Sequence, residues 1–150
     1  MRLFVKAGLL VGTMDILGAC LQYYVKTRNN PIAVLHYVAS GAFGSKAYEG
    51  GISTAVWGLF FHFLIAFVFT GLFFLLYRSW PLFRRTGILI CIIYGIFMWS
   101  VTQFMVIPLS RIPDAGTIRF STAAQAIGIL VICISIPLYY LARRSYSMKT

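Results

Sequence analysis

The side chains best suited to proton or solute chemistry lie inside apolar stretches of this sequence. Asp15 sits in an apolar run that begins at Leu3, and His62 sits in another that begins at Ile52. Carboxylate and imidazole groups exchange protons in many binding and catalytic sites. An unpaired carboxylate in hydrocarbon is unfavourable by about 3 kcal/mol. We therefore expect Asp15 to face other helices and to be either protonated or paired, with His62 as its predicted partner.

Other polar residues are predicted to gather around these two. On the first apolar stretch they follow a helical stripe, because steps of four and three residues keep side chains on one face. This stripe is Gly8, Gly12, Asp15, Ala19 and Gln22. Small residues on such a stripe allow another helix to approach closely. The complete predicted polar site, placed in the outer half of the molecule, is Asp15, Gln22, His36, Glu49, His62, Gln103 and Gln125.

Several interpretations of these residues stay open. An acid–imidazole pair can be a purely structural link, since hydrogen bonds between membrane helices are common, or it can serve transport or catalysis. A metal site has suitable ligand types but no recognised ligand spacing; its members would be Asp15, His36, Glu49 and His62. The serines lack a G-x-S-x-G motif. Enzymatic activity is therefore not expected, and no cofactor or metal is predicted.

The elements that must position these residues are membrane-spanning helices. Among 150 residues, 60% are hydrophobic, 17% are aromatic and only 11% are charged, unlike a soluble globular chain. Four stretches exceed the roughly 18 apolar residues that cross a bilayer: 3–25, 52–77, 87–107 and 122–142. The sequence thus predicts an all-α, polytopic membrane protein: one integral domain over 1–150, folded as a four-transmembrane-helix bundle.

The segment between the first two spans, residues 30–51, is predicted to form a short re-entrant or interfacial helix, here called the lid. Asn30 before Pro31 is a favourable helix start. The following eight residues are apolar or aromatic except His36, and a short helix that is apolar all round must be buried. Gly41 is expected to end this helix, and a second short piece is expected over Phe43–Glu49.

The later spans carry weaker patterns. In the second span, Gly58, His62, Ala66 and Thr70 recur every four residues and are predicted to face inward, while the many phenylalanines are predicted to face lipid. In the fourth span, Pro137 removes a backbone donor, so a kink is expected near the inner end. Aromatic and aliphatic side chains are expected to fill the inner half of the bundle.

The net charge of +10 arises from basic residues at the span ends. Eight fall on one side of a four-span topology: Arg2, Lys6, Arg78, Arg84, Arg85, Arg143, Arg144 and Lys149. Five fall on the other: Lys26, Arg28, Lys46, Arg111 and Arg119. This bias predicts cytoplasmic N- and C-termini. It also predicts anionic lipids as partners at the cytoplasmic face and excludes a nucleic-acid footprint.

Three stretches also resemble a known group of proteins: AGLLVGTMDIL, NPIAVLHYVASGAFGSKAYEGG and WGLFFHFLIAFVF. They are similar to four-span bacterial inner-membrane proteins of the YagU-like family, whose function is unknown. The resemblance implies a bacterial inner membrane and a four-span plan. It marks as family positions Asp15, Pro31, Ser40, Gly41, Gly44, Gly50, Gly51 and His62.

Two functions are compatible with the sequence. The first is a small non-enzymatic accessory or structural membrane protein, whose polar seam only orders the bundle. The alternative is a proton-coupled or small-solute transporter or channel-like module that uses Asp15 and His62. Four short helices make a narrow pathway, so this second function predicts a homo-oligomer or a larger membrane complex.

Overall fold

A computed structural model of the chain describes residues 2–85, 87–113 and 119–147. Helices make up nearly all of these residues, and no strand occurs among them. In chain order the helices are α1 (Arg2–Thr27), α2 (Ile32–Phe43), α3 (Gly51–Ser79), α4 (Pro81–Arg85), α5 (Ile88–Leu109) and α6 (120–147). A 3₁₀ turn, Gly44–Tyr48, follows α2.

Four of these helices, α1, α3, α5 and α6, are long and apolar enough to cross a membrane. The predicted all-α bundle of four transmembrane helices is therefore confirmed. Their outer surfaces carry many exposed leucine, isoleucine, valine and phenylalanine side chains. So large an apolar surface is unfavourable in water and suits contact with lipid. The chain is a multi-pass membrane protein.

Aromatic side chains fill the bundle at the end away from the lid. The ring of Phe73 lies 4.9 Å from that of Tyr94 and 5.8 Å from that of Phe83, which α4 contributes. The Tyr94 hydroxyl donates a hydrogen bond of 2.6 Å to the Phe69 carbonyl. Aromatic and aliphatic side chains therefore fill the half of the bundle for which the sequence predicted them. The lipid-facing assignment is wrong for the buried Phe69 and Phe73, because α3 is apolar all round and its sequence does not mark the core side.

Helices α1 and α3 pack closely at two glycines of α1. A Cβ atom at Gly8 would overlap the ring of Phe67, and one at Gly12 would lie 2.8 Å from the ring of Phe63. The glycine stripe of α1 therefore does allow the close approach that the sequence predicted. On α3, the predicted inward residues Gly58, Ala66 and Thr70 are buried, and the His62 side chain is slightly more exposed.

The lid folds back and packs along α3. The Asn30 side chain accepts a hydrogen bond from the Ile32 amide at 3.1 Å, so the predicted helix start is confirmed. The predicted end is wrong: α2 continues through Gly41, and Gly44, with φ of 62°, makes the turn into the 3₁₀ segment. The reason is that Gly41 keeps helical geometry while its carbonyl accepts the Arg111 amide at 2.9 Å.

The two proline-containing spans each have a π-helical turn directly before the proline. These turns are Thr102–Val106 in α5 and Val131–Ser135 in α6. The amides of Ile107 and Ile136 each donate to a carbonyl five residues back. Pro108 and Pro137 come next and lack an amide hydrogen, so the widened turn accommodates the interrupted bonding. The sequence predicted an irregularity at Pro137 but none at Pro108.

Candidate functional site

A cavity of about 360 Å³ lies between the four spanning helices and the lid. It is called the central cavity here. Each spanning helix contributes to its wall, and the lid contributes Tyr37 and Val38. The polar residues that line it are Asp15, Gln22, His62, Thr102 and Gln103. The structure therefore collects side chains from α1, α3 and α5, which are far apart in the sequence, around one space.

Asp15 and His62 are close but are not hydrogen-bonded to each other. His62 Nε2 lies 4.0 Å from Asp15 Oδ2 and 2.9 Å from the Gly12 carbonyl oxygen. A carbonyl oxygen only accepts hydrogen bonds, so Nε2 is the donor and carries a proton. Within the described ranges, no hydrogen bond reaches the Asp15 carboxylate. The imidazole is thus anchored by backbone, whereas the acid has only an electrostatic neighbour.

The backbone of α1 explains how His62 is anchored. Because Gly12 has no side chain, α3 approaches until the Phe63 ring and the Ala66 methyl group would touch a Cβ at that position. This close approach brings His62 within hydrogen-bonding distance of the Gly12 carbonyl. The same glycine stripe that packs the helices therefore also positions the imidazole beside Asp15.

Gln22 closes the outer edge of the central cavity. Its amide nitrogen donates to the side-chain oxygen of Gln125 at 3.1 Å, which links α1 to α6. Gln103 lines the cavity from the π-helical turn of α5. Five residues of the predicted polar site therefore lie in or at the edge of one cavity: Asp15, Gln22, His62, Gln103 and Gln125.

The structure does not bring His36 and Glu49 to this cavity. His36 Nε2 donates to the Gly51 carbonyl at 2.9 Å and so attaches the lid to the start of α3. Glu49 is exposed after the 3₁₀ turn. The helix that carries Asp15, α1, extends to Thr27. At about 1.5 Å per residue, Asp15 is at mid-height of its helix.

The metal alternative has no geometric support. Nowhere in the described part of the chain do three or more His, Cys, Asp or Glu side chains lie close enough to hold a metal ion. Asp15 and His62 supply two groups, and His36 points its Nε2 at a backbone carbonyl instead.

Besides Phe69, which was predicted to face lipid, two aromatic lining residues were missed from the sequence. Trp99 lies four residues after Gly95 and four before Gln103. This helical spacing places it on the same face of α5 as those two residues, so its inward position was predictable. Tyr37 follows His36 in the lid. Because the lid is apolar on nearly all sides, its sequence does not indicate which face points inward. Both line the central cavity. The cavity also touches both π-helical turns, through Thr102, Gln103 and Ile134, and such turns are frequent at functional sites.

A second cavity of about 340 Å³ adjoins the first and is called the apolar cavity here. It lies between the lid, α3 and the outer end of α5. Its lining is almost wholly apolar and includes Ala42, Phe61, Leu64 and Val106. The residues that line both cavities are Tyr37, Val38, Ile65, Thr102 and Ile107. The two spaces are therefore neighbours beneath the same lid.

The side chains that line the central cavity are able to bind a polar or cationic ligand. The central cavity offers an acid, an imidazole, amides and aromatic rings, and none of its described lining residues is lysine or arginine. Neither serine nor cysteine is among those lining residues. Such a site is able to hold a proton, a cation or a small polar solute. No protein family model, curated protein or solved structure matches this chain.

Proposed function

We propose that this chain is a small-solute transport module whose binding site is the central cavity. The observation that carries the proposal is an acid without a hydrogen-bonding partner among the described residues, facing a space walled by all four spanning helices. An intramembrane ionisable residue in such a position commonly marks a solute or proton pathway. In this proposal Asp15 binds the solute or an exchanged proton, and His62 sits beside it.

The geometry argues against a purely structural lock at Asp15. A structural polar network is stabilising when its members satisfy one another, and half-satisfied groups are unfavourable in a low-dielectric interior. His62 donates a hydrogen bond to the Gly12 carbonyl, yet the Asp15 carboxylate lies 4.0 Å from His62 Nε2. An acid placed at this energetic disadvantage is better explained by a ligand or proton that it binds.

A second candidate function is an accessory or structural membrane protein. It is favoured by two links between helices, from His62 to the Gly12 carbonyl and from Gln22 to Gln125. Both links would hold the bundle together without any solute. They account for His62, Gln22 and Gln125, but they leave Asp15 without a role.

We further propose a bacterial inner membrane, with both termini in the cytoplasm, as the location. The resemblance to YagU-like proteins supports the bacterial inner membrane, and the eight-to-five distribution of basic residues supports the orientation. One of these residues, Lys149, lies outside the described ranges. The basic inner end would contact anionic lipids. Because a single four-helix chain leaves a narrow pathway, transport would be carried out by a homo-oligomer.

Solute access to Asp15 tests this proposal. The purified protein in nanodiscs is treated with a water-soluble carbodiimide, and modified carboxyl groups are located by peptide mass spectrometry. Exposed Glu49 is an internal positive control, because it must react in any fold of this kind. Modification of both Asp15 and Glu49 supports a solute-accessible site. Modification of Glu49 without Asp15 would overturn the proposal in favour of the accessory function.

Flux provides the second measurement. Proteoliposomes that contain an entrapped pH-sensitive dye are subjected to an acid pulse, with and without small solutes outside. Wild-type protein is expected to increase proton or solute-coupled flux, and Asp15→Asn is expected to abolish the increase. Glu49→Gln makes the same chemical change outside the cavity and should retain the flux.

A further inference from the structure

We propose that the solute bound at Asp15 is an organic ammonium ion with a short apolar tail. Its ammonium group would occupy the central cavity, and its tail would extend into the apolar cavity. This inference rests on the proposed solute-binding function and specifies its substrate class. It is carried by the charge of one cavity, the aromatic rings that line it and the apolar character of the space beside it.

The charge of the central cavity selects for a cation. Asp15 is the one acid among the described residues that line it, and lysine and arginine are missing from that set. His62 directs its Nε2 proton to the Gly12 carbonyl, so this proton is not available for an anionic ligand. A phosphate or carboxylate would meet a like charge without a compensating base. An ammonium ion would instead supply the hydrogen-bond donors that the Asp15 carboxylate lacks.

The aromatic lining agrees with an ammonium ligand. Tyr37, Phe69 and Trp99 come from the lid, α3 and α5 and line the same cavity as Asp15. Aromatic faces attract organic cations, and partial removal of water strengthens the attraction. A cavity with one carboxylate and several aromatic rings also disfavours a small, strongly hydrated metal ion, which requires several oxygen ligands.

The apolar cavity accounts for the tail. It is bordered by Tyr37 and Thr102, which also border the central cavity, so the two spaces adjoin. In this proposal a ligand of modest length extends from the central cavity into the apolar cavity. Ala42, Leu64 and Val106 offer it only apolar contact. Each buried CH₂ group should then improve affinity roughly fourfold until the space is filled.

Trp99 provides a direct reporter for this ligand. Trp57 and Trp80 are exposed, so the background Trp57→Phe/Trp80→Phe leaves Trp99, inside the central cavity, as the fluorescent residue. The protein in phosphatidylglycerol nanodiscs is titrated with butylammonium, hexylammonium, hexanol and hexanoate. Hexylammonium, which has two more CH₂ groups, is expected to bind roughly sixteenfold more tightly than butylammonium. It should also bind more tightly than the neutral or anionic compound with the same tail.

Two variants separate the head and tail contributions. Asp15→Asn should weaken hexylammonium binding by roughly tenfold or more, because a partly buried charge pair is lost; Glu49→Gln is the matched control. Ala42→Phe fills the apolar cavity and should reduce hexylammonium affinity to that of butylammonium without changing the latter. If phosphatidylethanolamine in the nanodisc competes with hexylammonium, the ammonium source is a lipid headgroup, which also supports the proposed chemistry.

The outcomes distinguish this inference from the proposed function. Equal binding of hexanol or hexanoate, or unchanged hexylammonium binding by Asp15→Asn, would overturn the ammonium assignment. If carbodiimide still modifies Asp15 and flux persists in those cases, the transport function stands with another solute. Loss of carbodiimide modification and flux would instead overturn the proposed function, and with it the substrate class.

Discussion

At the scale of single residues, Asp15 and His62 are neighbours, but only His62 has a hydrogen bond that compensates for its burial. His62 is 12% exposed and has a backbone acceptor 2.9 Å away, so it gains a hydrogen bond by being buried. Asp15 is 16% exposed and has no such bond within the described residues. Groups held in an unfavourable environment at functional sites commonly reduce stability. The two side chains should therefore respond oppositely to replacement.

We expect Asp15→Asn to increase the stability of the empty protein by about 1 kcal/mol. The amide keeps the shape of the side chain but removes a charge that is unpaired at hydrogen-bonding distance. His62→Gln should decrease stability by about 1 kcal/mol because its bond to the Gly12 carbonyl is weakened. Thermal unfolding in detergent, without ligand, measures both effects, and Glu49→Gln is the exposed control.

The double variant Asp15→Asn/His62→Gln tests how strongly the two side chains are coupled in their effect on stability. At 4.0 Å, with Nε2 already engaged by a carbonyl, we expect a coupling of about 0.5–1 kcal/mol. A marked loss of stability in Asp15→Asn that is relieved in the double variant would identify a structural lock. That result would contradict the unpaired state of the acid on which the transport function depends.

At the scale of elements, local sequence explains the helices better than it explains their facing surfaces. The spans follow from long apolar runs, and the start of α2 follows from Asn30, whose side chain caps it. The orientation of α3 does not follow from apolarity, because phenylalanines occupy every side of the helix. Its seam was predictable because Gly58, Ala66 and Thr70 interrupt the phenylalanines at a helical spacing.

The central cavity was only partly predictable for a related reason. Asp15, His62 and Gln103 were identifiable as polar residues within apolar spans. Their grouping depends on how closely α3 approaches Gly12 and on the widened turn at Thr102–Val106. Both features arise from tertiary packing and proline geometry. His36 was wrongly predicted to join the polar site, because its side chain instead makes a local hydrogen bond to the Gly51 carbonyl.

The lid depends on one glycine of α3. A Cβ atom at Gly58 would overlap the Leu35 carbonyl of α2, so no larger residue is accommodated without moving the lid. We expect Gly58→Ala to displace α2 and to reduce stability by about 1–3 kcal/mol. Carbodiimide modification of Asp15 should become faster, because the lid borders the cavity. Thermal unfolding and the rate of modification measure the two effects.

A matched glycine variant controls for the effect of substitution itself. Gly128 lies in α6, and nothing is within 4 Å of a Cβ atom built there. Gly128→Ala should leave the modification rate unchanged and should not reduce stability, because alanine is the better helix former. If both glycine variants behave alike, the close contact between Gly58 and Leu35 does not hold the lid in place.

At the scale of the whole molecule, the two ends of the bundle differ in their number of basic residues. The described basic residues cluster at the helix ends, while the spanning surfaces between them are apolar. The lid lies at the end with fewer basic residues. In the proposed orientation this end faces the periplasm, so an external solute would meet the lid first and Asp15 at mid-height of the bundle.

Thiol labelling in intact cells tests this orientation in a variant whose three native cysteines are replaced by alanine. Ser45 is exposed in the lid and Ser79 is exposed at the opposite end of α3. We expect Ser45→Cys to react with a membrane-impermeant maleimide from outside and Ser79→Cys to react only after permeabilisation. Ala39→Cys, at a buried lid position, should react slowly under both conditions. The reverse pattern for Ser45 and Ser79 would invert the topology, and fast labelling at Ala39 would show that the lid is not packed against the bundle.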